Sequence, residues 1–551
     1  MEDKFSRRIQ KTINIFCWVP LLLGTVGYMI EGNDFLHSLY STICLYFMNP
    51  INSDENLLII LTKFLTVIVA GNIILTILFA ALSVTSHFIT NRFKDSTAIY
   101  TDNEFGSIIL DKFKHSYIVK IDDTSKKPHR FSSKGAKRHI FVFDNDNKCI
   151  NEFKRYESYL TDKNVYLLLN NVDSFLIHSQ TESSIKRNCK LQVVNFQELL
   201  ARDFWCTRIK EIFEDRNKNF KKLGDENKKY NIAICGYGSI GNAILRYAIL
   251  NNLYDVNQNF VYHVWGCSLY KKKFIYNVFN KSKDIGSKDE AFVYDDDYLE
   301  CVDKLMDMDI VICTEEQNSL ELVKRMLFLR KQNKLPRIYY YSKSDNSFSD
   351  IYVDENIKPF GRPDSILNEH TVIDDSLYKC AKYISYDYHS YHEWETKKKE
   401  SNRDMPPYQK YIENMINENN LDKHIIDHWE GVGEEDKKDR AFSQGSDIAR
   451  ADHLLIEKTI RNKKNIIDDM DNPSNATKEL WALEHIRWCR YLILNGYTYG
   501  EKDPANKTHN CLIEFSKLSK NYQRLDGYQS KCIESMIDKE VCKKMKYYNL
   551  L

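Results

Sequence analysis

Three glycines carry the most explicit chemistry in this chain. Gly236, Gly238 and Gly241 stand in the spacing G-x-G-x-x-G directly after the apolar run Asn231–Cys235, and apolar positions at helical spacing follow through Leu250. Each glycine has a physical task at that spacing. The first makes a tight turn, the second lets a phosphate approach the backbone, and the third lets helix and strand pack closely. A helix amino end then offers free N–H groups and a positive dipole end to an anion. Gly236, Gly238, Ser239 and Gly241 are therefore candidate phosphate-binding residues, and a nucleotide or dinucleotide is the candidate cofactor. One position departs from that pattern. A dinucleotide site wants Asp or Glu at the end of the second strand to hold a ribose hydroxyl, and here that place falls on Gly266, Cys267 or Ser268. The expectation is a ligand other than ordinary NAD, or a fold kept for assembly alone.

A second group of chemistry-bearing residues lies near the C-terminus, in Glu479–Gly500 (ELWALEHIRWCRYLILNGYTYG). Trp481, His485, Trp488 and Leu492 share one face of a helix, and Gly496 ends it as a left-handed cap. A cation or a planar base can stack on the ring of Trp488 or Tyr499. The alternative is that Trp481, Trp488 and Tyr499 form a small aromatic core with His485 hydrogen-bonded inside it. No HExxH, Walker loop or Ser/His/Asp signature occurs, so no catalytic residue and no metal site is expected. Asp295-Asp296-Asp297 reads as a solvated acidic run. His389 and His392, among Tyr386, Tyr388, Tyr391 and Trp394, read as aromatic packing.

The elements that position these residues follow from patterning. The 551 residues carry a formal net charge of +1, which gives no electrostatic footprint for nucleic acid. Fourteen cysteines stand singly with no C-x-x-C, which fits a reducing compartment better than a disulfide framework. Short β-rich runs at Ser116–Ile121, His139–Phe143, Val165–Asn170 and Leu191–Phe196 alternate with helical ones, as do Val261–Cys267, Asp309–Cys313 and Arg337–Tyr341 in the glycine-bearing half. Such alternation predicts parallel sheets with crossover helices. No glycine-rich turn was evident after any strand of the first half.

Two uncharged apolar stretches, Thr12–Ile30 and Phe64–Val84, open the chain, and each has the length of a bilayer-crossing helix. Lys4, Arg7, Arg8 and Lys11 before the first and Arg92 and Lys94 after the second place both ends in the cytoplasm. Between them Phe35–Met48 is too short to cross. Thr25-Val26-Gly27-Tyr28 matches four residues of a potassium filter but closes the first stretch, where a filter cannot stand. The expected fold class is thus a two-helix membrane hairpin with two consecutive Rossmann-like α/β units, a mainly helical region and a small C-terminal domain. The expected boundaries are 1–95, 96–225, 226–350, 351–465 and 466–551, and the expected location is the inner membrane.

Membrane helices leading into two Rossmann units, with the glycine motif in the second, resemble TrkA-N (RCK-type) potassium-transport proteins over about residues 1–345. Glu484-His485-x-x-Trp488, Gly496-Tyr497-x-Tyr499-Gly500, His509-x-Cys511-Leu512 and Arg524-x-Asp526 resemble the RyR (ryanodine receptor) repeat over about residues 470–530, with Tyr497 in place of the usual Trp and Asn510 in place of the usual Pro. The resemblance implies Rossmann units that assemble into homo-oligomers, with Gly236, Gly238 and Gly241 lining a nucleotide phosphate. It also implies a C-terminal ligand-sensing module of the kind found beside bacterial nucleotide-signalling and antiviral-defence effectors, with His485, Trp488, Tyr497, Tyr499 and His509 as its candidate ligand-binding residues. The expected function is a membrane-anchored sensor of a nucleotide-derived small molecule that drives a membrane effector such as an ion channel, with the lipid bilayer as partner. The alternatives are a membrane-tethered NAD-dependent oxidoreductase and a structural oligomerisation scaffold.

Overall fold

The computed structural model describes residues 18–46, 56–69, 95–119, 135–170, 189–221, 229–330, 335–343, 354–373, 376–400, 405–417, 425, 428–429, 437–461, 473–526 and 531–550. The chain divides into two compact units, Met1–Ser96 and Thr97–Leu551.

In the first unit helices run over residues 18–30, Phe35–Tyr46 and 57–69. Small and hydroxylated residues face their crossings. A Cβ on Gly24 would stand 2.5 Å from Thr42 Cγ2 and 2.8 Å from Thr62 Cγ2. Thr25, Thr42 and Thr62 donate back to the carbonyls of Leu21, Ser38 and Leu58, which lets hydroxyls sit in a helix interface without an unpaired donor. Thr25–Tyr28 is helical. Among the described residues no helix is long and apolar enough to cross a membrane. The described part of the first helix, residues 18–30, rises about 20 Å, against a hydrocarbon core of about 30 Å. Residues 12–17 and 70–84 of the two expected spans lie outside the described residues. The expected transmembrane hairpin is corrected on this finding, and with it the inner-membrane location, the bilayer partner and the ion-channel reading.

The second unit holds two wholly parallel sheets. The first runs β2-β1-β3-β4-β5, from β1 Thr97–Thr101, β2 Ser116–Val119, β3 Arg138–Val142, β4 Asn164–Leu169 and β5 Lys190–Asn195. The second runs β11-β10-β9-β6-β7-β8, from β6 Tyr230–Cys235, β7 Phe260–Trp265, β8 Glu290–Tyr294, β9 Ile310–Cys313, β10 Arg337–Tyr341 and β11 Ile357–Phe360. Counted from its own first strand, the second order is 3-2-1-4-5-6 and the first is 2-1-3-4-5, the two common doubly wound arrangements. Their strands read as nearly continuous apolar runs such as VYLLL and IVIC because helices cover both faces. β11 carries the second sheet past residue 350, the boundary expected for it.

The helix Phe196–Lys221 leaves β5 and packs between the sheets. Phe204 and Trp205 are fully buried there. The Trp205 indole donates to the Ile244 carbonyl at 3.0 Å, and Phe204 lies against Tyr339 and Phe360 of the second sheet. Helices Ser376–Glu400, Tyr408–Asn417, Lys437–Arg461, Asn475–Leu494 and Lys531–Tyr547 complete the unit. Two buried ion pairs tie them to the rest of the unit. Arg202 grips Asp452 at 2.6 and 2.8 Å. Arg490 donates to Asp289 at 2.7 Å, to Ser287 at 2.6 Å and to the Ile249 carbonyl at 2.9 Å.

Candidate functional site

The glycine loop sits at the carboxyl end of β6, beside β9, where the strand order of the second sheet reverses. Doubly wound sheets bind ligands in the crevice at this switch point. Gly236 has φ +92, the left-handed region, and a Cβ there would stand 2.5 Å from the Glu315 side chain. A Cβ on Gly241 would stand 2.3 Å from the Gly236 carbonyl oxygen, which also accepts from the Thr314 hydroxyl. These two glycines are needed for packing. Gly238 is different: it is exposed, and nothing lies within 4 Å of a Cβ built on it. It is the N-cap of the helix Ser239–Asn251, with no side-chain cap and no acidic residue in the first turn. That helix therefore presents uncapped N–H groups and an unopposed dipole end to the crevice.

Around the loop lie residues that sequence reasoning did not single out. Tyr237 is buried, donates through its hydroxyl to Asn242 Oδ1 at 3.0 Å, and gives its carbonyl to Lys271 Nζ at 3.1 Å. Gly266, at the end of β7, has φ +80, and its missing Cβ would lie 3.1 Å from the Tyr237 nitrogen. So a close backbone approach, followed by a lysine, stands where a dinucleotide site carries its ribose acid. A carboxylate comes instead from the next strand. Glu315, just after β9, accepts from the Tyr298 hydroxyl at 2.8 Å and Asn318 Nδ2 at 2.7 Å through Oε2. Its Oε1 lies 2.9 Å from the place of a Gly236 Cβ. The spacing from Gly236 gave no signal for Glu315, because strand order rather than sequence distance brings them together. Burial raises the thiol pKa values of Cys235 and Cys313 nearby, which makes them poorer nucleophiles.

The first sheet holds an unnoticed counterpart. Thr101, Asn103 and Gly106 repeat the spacing of Gly236, Gly238 and Gly241, and Asn103 and Gly238 are both N-caps of the helix that follows the first strand. A Cβ on Gly106 would stand 2.2 Å from Thr101 Cγ2. Asn103 accepts from the Gly106 N–H at 3.3 Å, and Glu104 opens the helix Glu104–Lys112. This amino end is satisfied by its own residues.

The C-terminal candidates separate into interior and surface groups. His485 is 1% exposed; its Nδ1 is 3.1 Å from Asp526 Oδ2 and its Nε2 is 2.9 Å from the Ile513 carbonyl. Burial opposes its charged form, but the Asp526 hydrogen bond and charge outweigh burial and raise its pKa. Tyr497 is buried against Phe442 at 4.8 Å. Both are thereby packing residues of the module. Trp488 meets His509 edge to face at 5.0 Å, both half-buried, and burial lowers the His509 pKa to about 4. Tyr499 is exposed. Gly496, φ +89, ends the helix Asn475–Leu494 in a Schellman motif: its N–H donates to Ile493 O and the Tyr497 N–H to Leu492 O. His389 lies against His428, while Tyr391, Trp394 and Tyr408 pack together in the interior.

Compared with protein-family models, curated proteins and solved structures, the chain matches none.

Proposed function

We propose that the second sheet binds a phosphate-bearing nucleotide at its glycine loop, and that the chain works as a ligand-responsive sensor. The observation that carries this reading is the uncapped, exposed amino end at Gly238 and Ser239, set at a switch point beside a helix end that is capped in the same architecture. A phosphate would accept from the first-turn N–H groups. Lys271, held at the loop by the Tyr237 carbonyl, adds positive charge. A ribose hydroxyl would donate to Glu315, which takes over the role of the absent acid after β7.

A route from site to periphery is present. The helix Ser239–Asn251 would meet the ligand at one end; at the other, Arg490 of the C-terminal module bonds the Ile249 carbonyl and His453 of the helix Lys437–Arg461 bonds the Asn251 carbonyl. For binding to act as a signal, the ligand must hold one arrangement of these parts more tightly than another. The test is thermal unfolding of the full chain against NAD, NADH, ATP, ADP-ribose and cyclic nucleotides. A ligand at a hundred times its dissociation constant adds about 2.7 kcal/mol, a clear rise in midpoint. The reading expects at least one phosphate-bearing nucleotide to give that rise and inorganic phosphate to compete. No rise with any of them sinks it.

A further inference from the structure

A second cavity lies away from the glycine loop, where three parts of the unit meet: the start of the helix Phe196–Lys221, the helix Ser239–Asn251, and the helices Lys437–Arg461 and Asn475–Leu494. Its volume is about 250 Å³, slightly below the roughly 300–1,000 Å³ of pockets for drug-sized ligands. The lining is unusual in its amides. Asn195, Gln197, Asn242, Asn251, Gln444 and Asn495 all contribute to it. Formal charges cancel, since Arg202 and Arg246 face Glu198 and Asp452. Tyr247, Tyr378 and Tyr491 supply aromatic walls.

Three of the amides have one end committed to the scaffold. Asn242 accepts from Tyr237, Gln444 donates to the Trp429 carbonyl at 3.1 Å, and Asn495 donates to the Tyr491 carbonyl at 2.8 Å. That leaves an amide N–H donor on Asn242 and carbonyl acceptors on Gln444 and Asn495.

We propose that this cavity is a second small-molecule site, for an uncharged nucleobase or nucleoside. The balance of charge disfavours a free anion, and the size disfavours a dinucleotide. The remaining donor on Asn242 and acceptors on Gln444 and Asn495 can each make a single hydrogen bond to a base edge, and tyrosine rings offer planar stacking faces. The site goes beyond the glycine-loop reading, and Asn242 links the two, because its partner Tyr237 lies between Gly236 and Gly238.

The test is isothermal calorimetry of the full chain with adenosine, guanosine, cytidine, uridine and the free bases, none of which carries a phosphate. The expected result is one-to-one binding of at least one of them, weakened roughly tenfold or more by Asn495→Ala, at a half-buried position. Gln444→Leu gives the same direction if the first variant folds poorly. Binding should survive Gly238→Asn. The proposal is overturned if no nucleoside or base binds, or if binding is indifferent to both variants. Failure here with intact nucleotide binding leaves the glycine-loop reading standing; the reverse pattern leaves this site standing alone.

Discussion

The two sheets of residues 97–551 begin alike and finish their first turn differently. In each, the first strand in chain order runs into a helix whose third residue is a glycine packed against that turn, Gly106 in one and Gly241 in the other. In the first sheet the turn closes on itself: Thr101 fills the space and Asn103 caps the helix. In the second, Gly236 and Gly238 remove both side chains and the amino end stays open. Two residues thus separate a helix start that is self-sufficient from one that can take an anion. Gly236 and Gly241 therefore mark packing, and on the proposed reading Gly238 alone marks the open amino end.

The largest expected break is in what anchors the open sheet. Arg490→Met would leave Asp289, buried to 1% exposure, without its cation. Removing one partner of a buried pair costs about 3–5 kcal/mol, measurable as a lowered urea midpoint. Next comes a pH test that both sheets should share. Burial lowers the pKa of His139 in the first sheet to about 3 and of His263 in the second to about 4. Both folded values lie below the unfolded value near 6.5, so the unfolded state binds more protons between them. Stability should fall as pH drops from about 6.5 towards 4, by on the order of a few kcal/mol in total. Denaturation at stepped pH should show a shallower fall in His139→Gln, measured against its own stability at pH 7. An unchanged slope would remove His139 from that account.

Gly106→Ala and Gly241→Ala should each destabilise, by about 1–3 kcal/mol, because each new methyl meets atoms within 2.3 Å. Similar losses in the two sheets would establish the third glycine as a packing residue in both. If only Gly241→Ala loses stability, the equivalence of the two turns fails. The smallest effects are at the caps. Asn103→Ala should cost about 1 kcal/mol. Gly238→Ala should lower ligand-free stability by somewhat less than about 1 kcal/mol, because alanine is a poorer N-cap than glycine, although nothing stands within 4 Å of the new Cβ.

The strands were legible because parallel strands covered on both faces leave continuous apolar runs, as at Val165–Asn170 and Asp309–Cys313. The glycine loop was legible because its spacing is local. What the sequence hid depended on distance along the chain. Glu315 reaches Gly236 only because β9 lies beside β6 in the sheet. The first-sheet turn was missed because Thr101 and Asn103 replace two of the three glycines that draw the eye. β1 itself, TAIYT, is short and half polar. His485 was singled out for its place in a motif, yet its partners Asp526 and Ile513 lie beyond the helix, and they make it a buried structural residue. The apolar stretches at the N-terminus were read from length and hydropathy alone, and the described helices there are too short for that reading.

The most direct test of the central claim is to give the second sheet the cap of the first. Gly238→Asn supplies the side chain that Asn103 supplies in its counterpart, at a position with open space for it. Calorimetry of wild type and variant with the nucleotide that gives the largest thermal shift decides the matter. The account predicts that the variant is as stable as wild type without ligand and loses nucleotide binding at least about tenfold. Undiminished binding in a folded variant would contradict it, and the open amino end would then be no phosphate site.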